Sequence, residues 1–325
     1  MIYCNDINFE RHILMANSKI NTKQVLNTLL LVLTALIWGS AFVAQSVGAE
    51  KVGPFTFLAA RSWLGGIFLI PVIVIIDKTR KNRGEISLKP QTKADKKTLL
   101  IGGILCGIFL FSASITQQIG IGMTTTAKAG FLTTMYVIIV PIISLIMGKK
   151  VGKKIWICVL LGVVGLYLLC MKGGLYLSFG DTMVLVCALI FSGHILVIDR
   201  FSPKTDGVRL SCLQFFVVAI LSTVCMFIFE KPNMSDIMSA AVPIIYAGIL
   251  SSGVGYTLQI IGQKGLNPTV ASLAMSLESV FSVLSGWIIL NQSLSLRELS
   301  GCILMFGAII LAQLPDKLFT KKTRG

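Results

Sequence analysis

Ala-Gly-Phe-Leu-Thr-Thr-Met-Tyr at 129–136 and Ala-Ser-Leu-Ala-Met-Ser-Leu-Glu at 271–278 align without a gap at an offset of 142 residues. Each stretch lies inside a long apolar run, and at the same offset Gly165 lies over Gly307. Two further pairs match. Ala-Leu-Ile-Trp-Gly-Ser at 35–40 resembles Ala-Leu-Ile-Phe-Ser-Gly at 188–193, and Gly103-Ile104-Leu105 matches Gly248-Ile249-Leu250. Agreement at polar and glycine positions carries more weight than shared Leu and Ile, which any two apolar helices have in common. Such self-similarity signals an internal repeat.

The runs around these segments decide the class. A membrane-spanning helix needs about 20 mainly apolar residues. Ten such runs occur, near 25–46, 54–76, 98–119, 124–147, 155–171, 181–198, 208–229, 240–262, 267–290 and 298–314. The chain of 325 residues is 54% hydrophobic and 13% charged, with a mean hydropathy of +0.83. A soluble domain carries about a quarter of its residues as charges. The expected class is therefore an all-α integral membrane protein, and a disordered chain is excluded for the same reason. The longest polar connection, 77–97, is too small to fold alone. No nucleotide-binding, sensor or soluble catalytic domain fits between the runs.

The net charge of +15 would suit nucleic acid, but its placement argues otherwise. With the N-terminus inside, 23 of the 29 Lys and Arg fall on the inner side and five on the outer side, and Arg61 lies within a run. This is the positive-inside pattern. It predicts an even number of crossings with both termini cytoplasmic, and contact with anionic lipid head groups rather than nucleic acid. The first 24 residues carry Asp6 and Glu10 and lack the apolar core of a signal peptide. Met15 opens a more plausible start, so residues 1–14 are expected to come from an upstream initiation site. The eight cysteines fall mostly inside runs, without a Cys-x-x-Cys pair. Small apolar packing accounts for them better than metal or disulfide bonding, and no cofactor is expected.

The matched segments divide the ten runs into two halves, 25–171 and 181–314, joined by an external connection at 172–180 and flanked by a tail at 1–24 and a basic tail at 315–325. Five crossings per half is odd, so the second half must enter the membrane upside down. Secondary transporters use such inverted repeats and place the substrate site near the midplane, where the halves meet.

Three segments carry a family resemblance. They are Trp38-Gly39-Ser40-Ala41-Phe42, Pro54-Phe55-Thr56-Phe57 followed by Arg61, and Ser276-Leu277-Glu278-Ser279-Val280-Phe281. Together they resemble the EamA family of the drug/metabolite transporter superfamily. The resemblance implies ten-helix carriers, many of them exporters of amino acids or other metabolites. It also implies a cavity lined by the first, third, fourth, sixth, eighth and ninth crossings. Ser279 departs from the pattern, because the family usually has Pro after this Glu. The departure implies a straighter ninth helix.

An ionisable group at the bilayer centre costs about 2.5–3.5 kcal/mol on insertion scales. Glu278 is the first candidate. It lies eleven residues past Asn267, about 17 Å along its helix and near the midplane. Asn267 and Pro268 form a good N-cap and first-turn pair. Glu278 would exchange protons or balance a substrate amine; the competing account is a protonated carboxyl in one interhelical hydrogen bond. His194, thirteen residues into the sixth run, is either a proton carrier or substrate partner, or a neutral tie between helices. Trp38 and Tyr136 are too deep for an interfacial belt and suit the walls of an amphipathic cavity, against simple helix packing. Arg61, seven residues into the second run, is shallow enough to snorkel. Tyr256 and Gln117 sit toward the ends of the eighth and third runs and would line vestibules, against helix cross-linking. Gly103-x-x-x-Gly107 and Gly248-x-x-x-Ser252 read as close-packing faces. Pro141 predicts a kink one turn from Tyr136.

The expected function is secondary transport of a small amine-bearing or amphipathic metabolite across the cytoplasmic membrane by alternating access. Glu278 is the candidate for proton coupling, and export is implied by the resemblance. Besides substrate and lipid, a proton or ion is the partner considered. A passive pore would need a polar ring or a carbonyl filter. An intramembrane enzyme would need convergent catalytic groups, which His194 and one carboxylate do not supply. A non-transporting membrane scaffold would tolerate loss of Glu278.

Overall fold

The computed structural model describes residues 22–124, 126–149, 151–170, 177–290 and 295–314. The expectations for residues 1–14 and for the basic tail lie outside them, as does most of the 172–180 connection. The described residues are helical, with no strand among them. Helix α1 spans Thr22–Ala49, α2 Pro54–Asn82 and α3 Lys93–Ile121. The fourth run is split into α4, Thr126–Thr133, and α5, Tyr136–Ile146. Then come α6, Lys153–Cys170, α7, Phe179–Phe201, and α8, Gly207–Phe229. A short α9, Met234–Ser239, leads to α10, Ala241–Ile245. That helix continues as a π-helix over Tyr246–Gly255 and then as α11, Tyr256–Gln263. The ninth run is split into α12, Pro268–Met275, and α13, Glu278–Leu290, before α14, Leu296–Gln313.

Eight of these helices or helical runs are long and apolar enough to cross a membrane. Their outer surfaces support that environment. On α1, Leu26, Leu29, Leu33 and Leu36 are exposed at helical spacing, and on α8 so are Ile220, Val224, Phe227 and Ile228. A soluble monomer rarely presents contiguous apolar faces of this size. The opposite face of α1 buries Thr34, Trp38 and Gln45.

Local sequence sets several helix starts. Thr92 and Asp95 begin α3 in a capping box, as do Ser178 and Asp181 for α7 and Ser295 and Glu298 for α14. Each box satisfies two backbone donors that the first turn leaves free. The Asn267 side chain accepts from the Thr269 N–H at 2.9 Å and starts α12 beside Pro268. The segment 77–97 is shorter as a loop than the apolar pattern suggests, because α2 runs on to Asn82 and α3 begins at Lys93.

The two breaks fall at matched positions. In the fourth run Met135 and Val137 donate three residues back, to Leu132 and Thr134. In the ninth run Leu277 and Ser279 do the same, to Ala274 and Ser276. Both sites take a tight turn after residue 133 or 275, again 142 residues apart. Pro141 sits inside α5, apart from the break. One expectation is corrected. The break before Ser279 forms without a proline, so Ser279 does not straighten the helix. Its hydroxyl donates to the Gly130 carbonyl at 3.0 Å and lies 3.2 Å from the Thr134 hydroxyl, which ties the two breaks together. Across them α4 packs on α13 and α5 on α12, so the two runs cross antiparallel.

Small residues set the closest approaches. A Cβ added to Gly103 or Gly107 would meet Leu213 or Val217 of α8 within 2.5 Å. On the π-helix, Gly248 abuts Leu64 and Arg61 of α2, and Ser252 lies against Gly65. Helices without a hydrophobic drive between them associate through such close packing.

Candidate functional site

The crossing of the two broken runs brings Tyr136 and Glu278 together. Tyr136 opens α5 and Glu278 opens α13, each immediately after its break. Tyr136 is fully buried and Glu278 is 3% exposed. The Tyr136 hydroxyl donates to Glu278 Oε1 at 3.1 Å.

Beside this pair lies a small cavity lined by Trp38, Gln45, Arg61, Gln117, Tyr256 and Glu278, among others. Its volume is about 20 Å³, room for roughly one water molecule. Aromatic rings form one wall. Trp38 packs on Tyr256 with ring centroids 4.5 Å apart and meets Phe191 edge-on at 5.7 Å. Trp38 and Phe191 are the matched residues of the segments at 35–40 and 188–193. The Trp38 ring N–H is 3.4 Å from the Ser251 carbonyl. That carbonyl belongs to the π-helix and accepts the Tyr256 N–H five residues on. A π-helix is rare and often marks a functional site; here it carries Gly255 so close that a Cβ would reach within 2.8 Å of the indole nitrogen. On α1, Gly39 lets the Glu278 backbone approach within 2.6 Å of where a Cβ would stand.

Polar side chains form the other wall. Arg61 is 4% exposed, donates to Gln45 Oε1 at 3.2 Å, and holds its guanidinium 5.8 Å from the Phe57 ring centroid. It does not snorkel to the surface, which corrects the expectation from its depth. The guanidinium is retained inside by an amide and an aromatic face. No ion pair joins Arg61 to Glu278 among the described residues, although both line the cavity. Gln117 donates to Thr133 Oγ1 at 3.3 Å.

Of the seven residues singled out from sequence, Trp38, Arg61, Gln117, Tyr256 and Glu278 line this cavity. Tyr136 joins it through Glu278. Tyr256 and Gln117 belong to the centre rather than to the vestibules expected for them. His194 does not line the cavity. Its Nε2 is 3.1 Å from Gln214 Oε1, and its ring lies behind Phe191 and Tyr256 at 5.3 and 6.1 Å. Sequence reasoning missed Phe42, Gln45, Thr133, Phe191 and Ser251 as lining residues. Gln45 carried a signal: it lies two helical turns beyond Trp38 on the same face.

Relatives share this architecture. A solved crystal structure aligns with a TM-score of 0.68 at 20% identity, covering 90% of this chain and 99% of its own. An uncharacterized transporter from Archaeoglobus fulgidus is 29% identical over 285 residues, 87% of this chain and 84% of the relative. The uncharacterized transporter YoaV of Bacillus subtilis is 24% identical over 283 residues, 85% of this chain and 92% of the relative. The uncharacterized inner membrane transporter YedA of Escherichia coli is 20% identical over 297 residues, 88% of this chain and 90% of the relative. The EamA-like transporter family matches twice, over residues 26–171 and 178–314, and so takes in nearly the whole helical bundle. The chain is a multi-pass membrane protein of transporter type and belongs to the EamA-like transporter family.

Proposed function

We propose that this protein is a secondary active transporter that exports a small amine-bearing or amphipathic metabolite across the cytoplasmic membrane. It would cross the bilayer ten times, as two inverted five-helix halves over 25–171 and 181–314, with both termini cytoplasmic. With the eight membrane-length runs, α6 and α14, which pack on each other where Gly165 meets Gly301 and Met305, would make up the ten crossings. The inverted arrangement draws support from the matched breaks and the antiparallel crossing of α4–α5 with α12–α13.

The observation that carries the transport reading is the Tyr136–Glu278 hydrogen bond at the crossing of two broken helices. A buried carboxyl in hydrocarbon is costly and usually belongs to a pathway. Interrupted helices at mid-depth are where secondary transporters hold substrate. Aromatic faces beside a carboxylate suit an ammonium group, through charge and cation–π attraction. Glu278 is assigned the coupling role and Tyr136 holds its carboxyl. Trp38 and Tyr256 wall the substrate space, with Arg61 and Gln117 opposite. His194 stands behind that wall and ties α7 to α8. The cavity of about 20 Å³ must widen before a metabolite enters, which suits a closed stage of alternating access better than a standing pore. A ligand drives that opening only through different affinity for the two states.

Proteoliposome flux with a metabolite panel at several pH values tests the proposal. Saturable flux with counter-transport is expected of the wild type, together with loss of proton-coupled flux in Glu278→Gln at normal expression. Unchanged coupled flux in that variant removes Glu278 from the mechanism. Non-saturating flux would indicate a pore, and absence of flux across the panel would favour a scaffold.

A further inference from the structure

A second and larger cavity lies away from the site, where α2, α3, the turn after α7, α8 and α11 end together. Its volume is about 520 Å³, in the range of small-molecule pockets. The floor is apolar, from Ile76, Leu88, Leu99, Val208, Ile260 and Ile261. The rim is basic, from Lys89, Lys204, Arg209 and Lys264.

The charges divide into used and unused. Arg209 is held by both oxygens of Asp77, at 2.6 and 2.7 Å, and by Asp206 at 3.3 Å. Lys89 lies 3.6 Å from Asp77. Asp95 lines the cleft, but its carboxylate is engaged by the Thr92 N–H in the capping box of α3. Lys204 and Lys264 have no acidic partner within ion-pair distance among the described residues. Ser202 contributes to the lining, but its hydroxyl has no exposed surface there. Two ammonium groups without an acidic partner, over an apolar lining, suit a phosphate carrying a hydrocarbon chain.

We propose that this cleft binds one anionic glycerophospholipid, its phosphate held by Lys204 and Lys264 and the start of its acyl chain laid on Val208, Ile260 and Ile261. The apolar floor selects a membrane lipid over a soluble phosphate ester. Ile261 is itself 37% exposed and continues the floor to the surface. The site is independent of the transport reading, because none of its residues lines the central cavity.

Native mass spectrometry of the purified protein with phosphatidylglycerol or phosphatidylcholine of equal chain length tests it. One phosphatidylglycerol is expected to bind at least about tenfold more tightly than phosphatidylcholine, since each cation near an anionic head group adds to its affinity. Lys204→Gln/Lys264→Gln should weaken phosphatidylglycerol binding about tenfold. The Lys96→Gln/Lys97→Gln control, at the same end but off the cleft, should not. Ile261→Trp, which fills the floor, should also weaken it. Equal loss in the two double variants, or equal binding of the two lipids, overturns the proposal. So does competition by glycerol 3-phosphate as strong as by the lipid, because it would assign the cleft to a soluble anion. Thermal melts of each variant separate lost binding from lost folding.

Discussion

The Tyr136 hydroxyl donates to the Glu278 carboxylate at 3.1 Å, and the two residues are 142 positions apart, the offset at which their segments align. Trp38 and Phe191, also matched between the two repeats, have ring centroids 5.7 Å apart. Both of them line the cavity together with Glu278.

Removing the hydroxyl should release the carboxyl without opening a void. Tyr136→Phe is expected to express and fold normally, and to lower coupled flux about tenfold, the equivalent of about one hydrogen bond. Initial rates in proteoliposomes check it; a rate within twofold of wild type would remove Tyr136 from any positioning role.

Gly39 and Gly307 should respond oppositely to alanine. At Gly39 the new methyl would stand 2.6 Å from the Glu278 carbonyl and 2.7 Å from the Ser282 nitrogen, both backbone atoms, so α1 and α13 must separate. A loss of about 1–3 kcal/mol is expected. At Gly307 nothing lies within 4 Å, and alanine should be neutral or stabilise by up to about 1 kcal/mol through helix propensity. Thermal unfolding of the two variants in one detergent decides it.

Ser279 offers a test of what breaks the ninth run. Ser279 is in the first turn of α13, where proline is tolerated. Ser279→Ala should cost about 1–2 kcal/mol for the lost bonds to Gly130 and Thr134, and Ser279→Pro about 1 kcal/mol more, because it also removes the N–H bond to Ser276. A proline penalty about 3 kcal/mol beyond the alanine variant, read from denaturation midpoints, would mean that the helix is continuous there.

Glu230 caps a helix other than its own. Its carboxylate accepts from the Phe55 and Thr56 N–H groups at 2.8 Å each and from the Thr56 hydroxyl at 2.5 Å, so the end of α8 is tied to the start of α2. A carboxylate at a helix N-terminus is favoured by the dipole and by charge-assisted bonding. Glu230→Gln should lower stability by about 1–2 kcal/mol with little change in flux per folded molecule. A thermal melt combined with a flux assay normalised to folded protein checks both halves of that statement.

Apolar run length and local capping chemistry made the helices legible in the sequence. Hydrocarbon demands about 20 apolar residues per crossing whatever the neighbours are, and Asn267 with Pro268 starts a helix from its own side chains. That Glu278, Tyr136 and Trp38 turn inside the bundle was legible as well, because a polar atom facing hydrocarbon is costly in any packing arrangement. The two breaks were not legible, because the one local sign, Pro141, lies inside α5 instead. The turns are tied to each other by the Ser279 hydroxyl on the Gly130 carbonyl, a contact across 149 residues. The π-helix left only a cluster of small residues as its trace, and the Trp38 contact to one of its carbonyls comes from a distant helix.

The sequence alone determined that this chain is helical and membrane-embedded, that it repeats itself, and that one carboxyl lies deep within it, because burial in lipid penalises every unsuitable residue one at a time. Only the tertiary structure decided that Arg61 turns inward to Gln45, that His194 faces Gln214 behind the aromatic wall, and that Tyr136 meets Glu278. Those outcomes are set by which helix faces meet, and a side chain's partner is fixed by the packing of distant segments that no local pattern encodes.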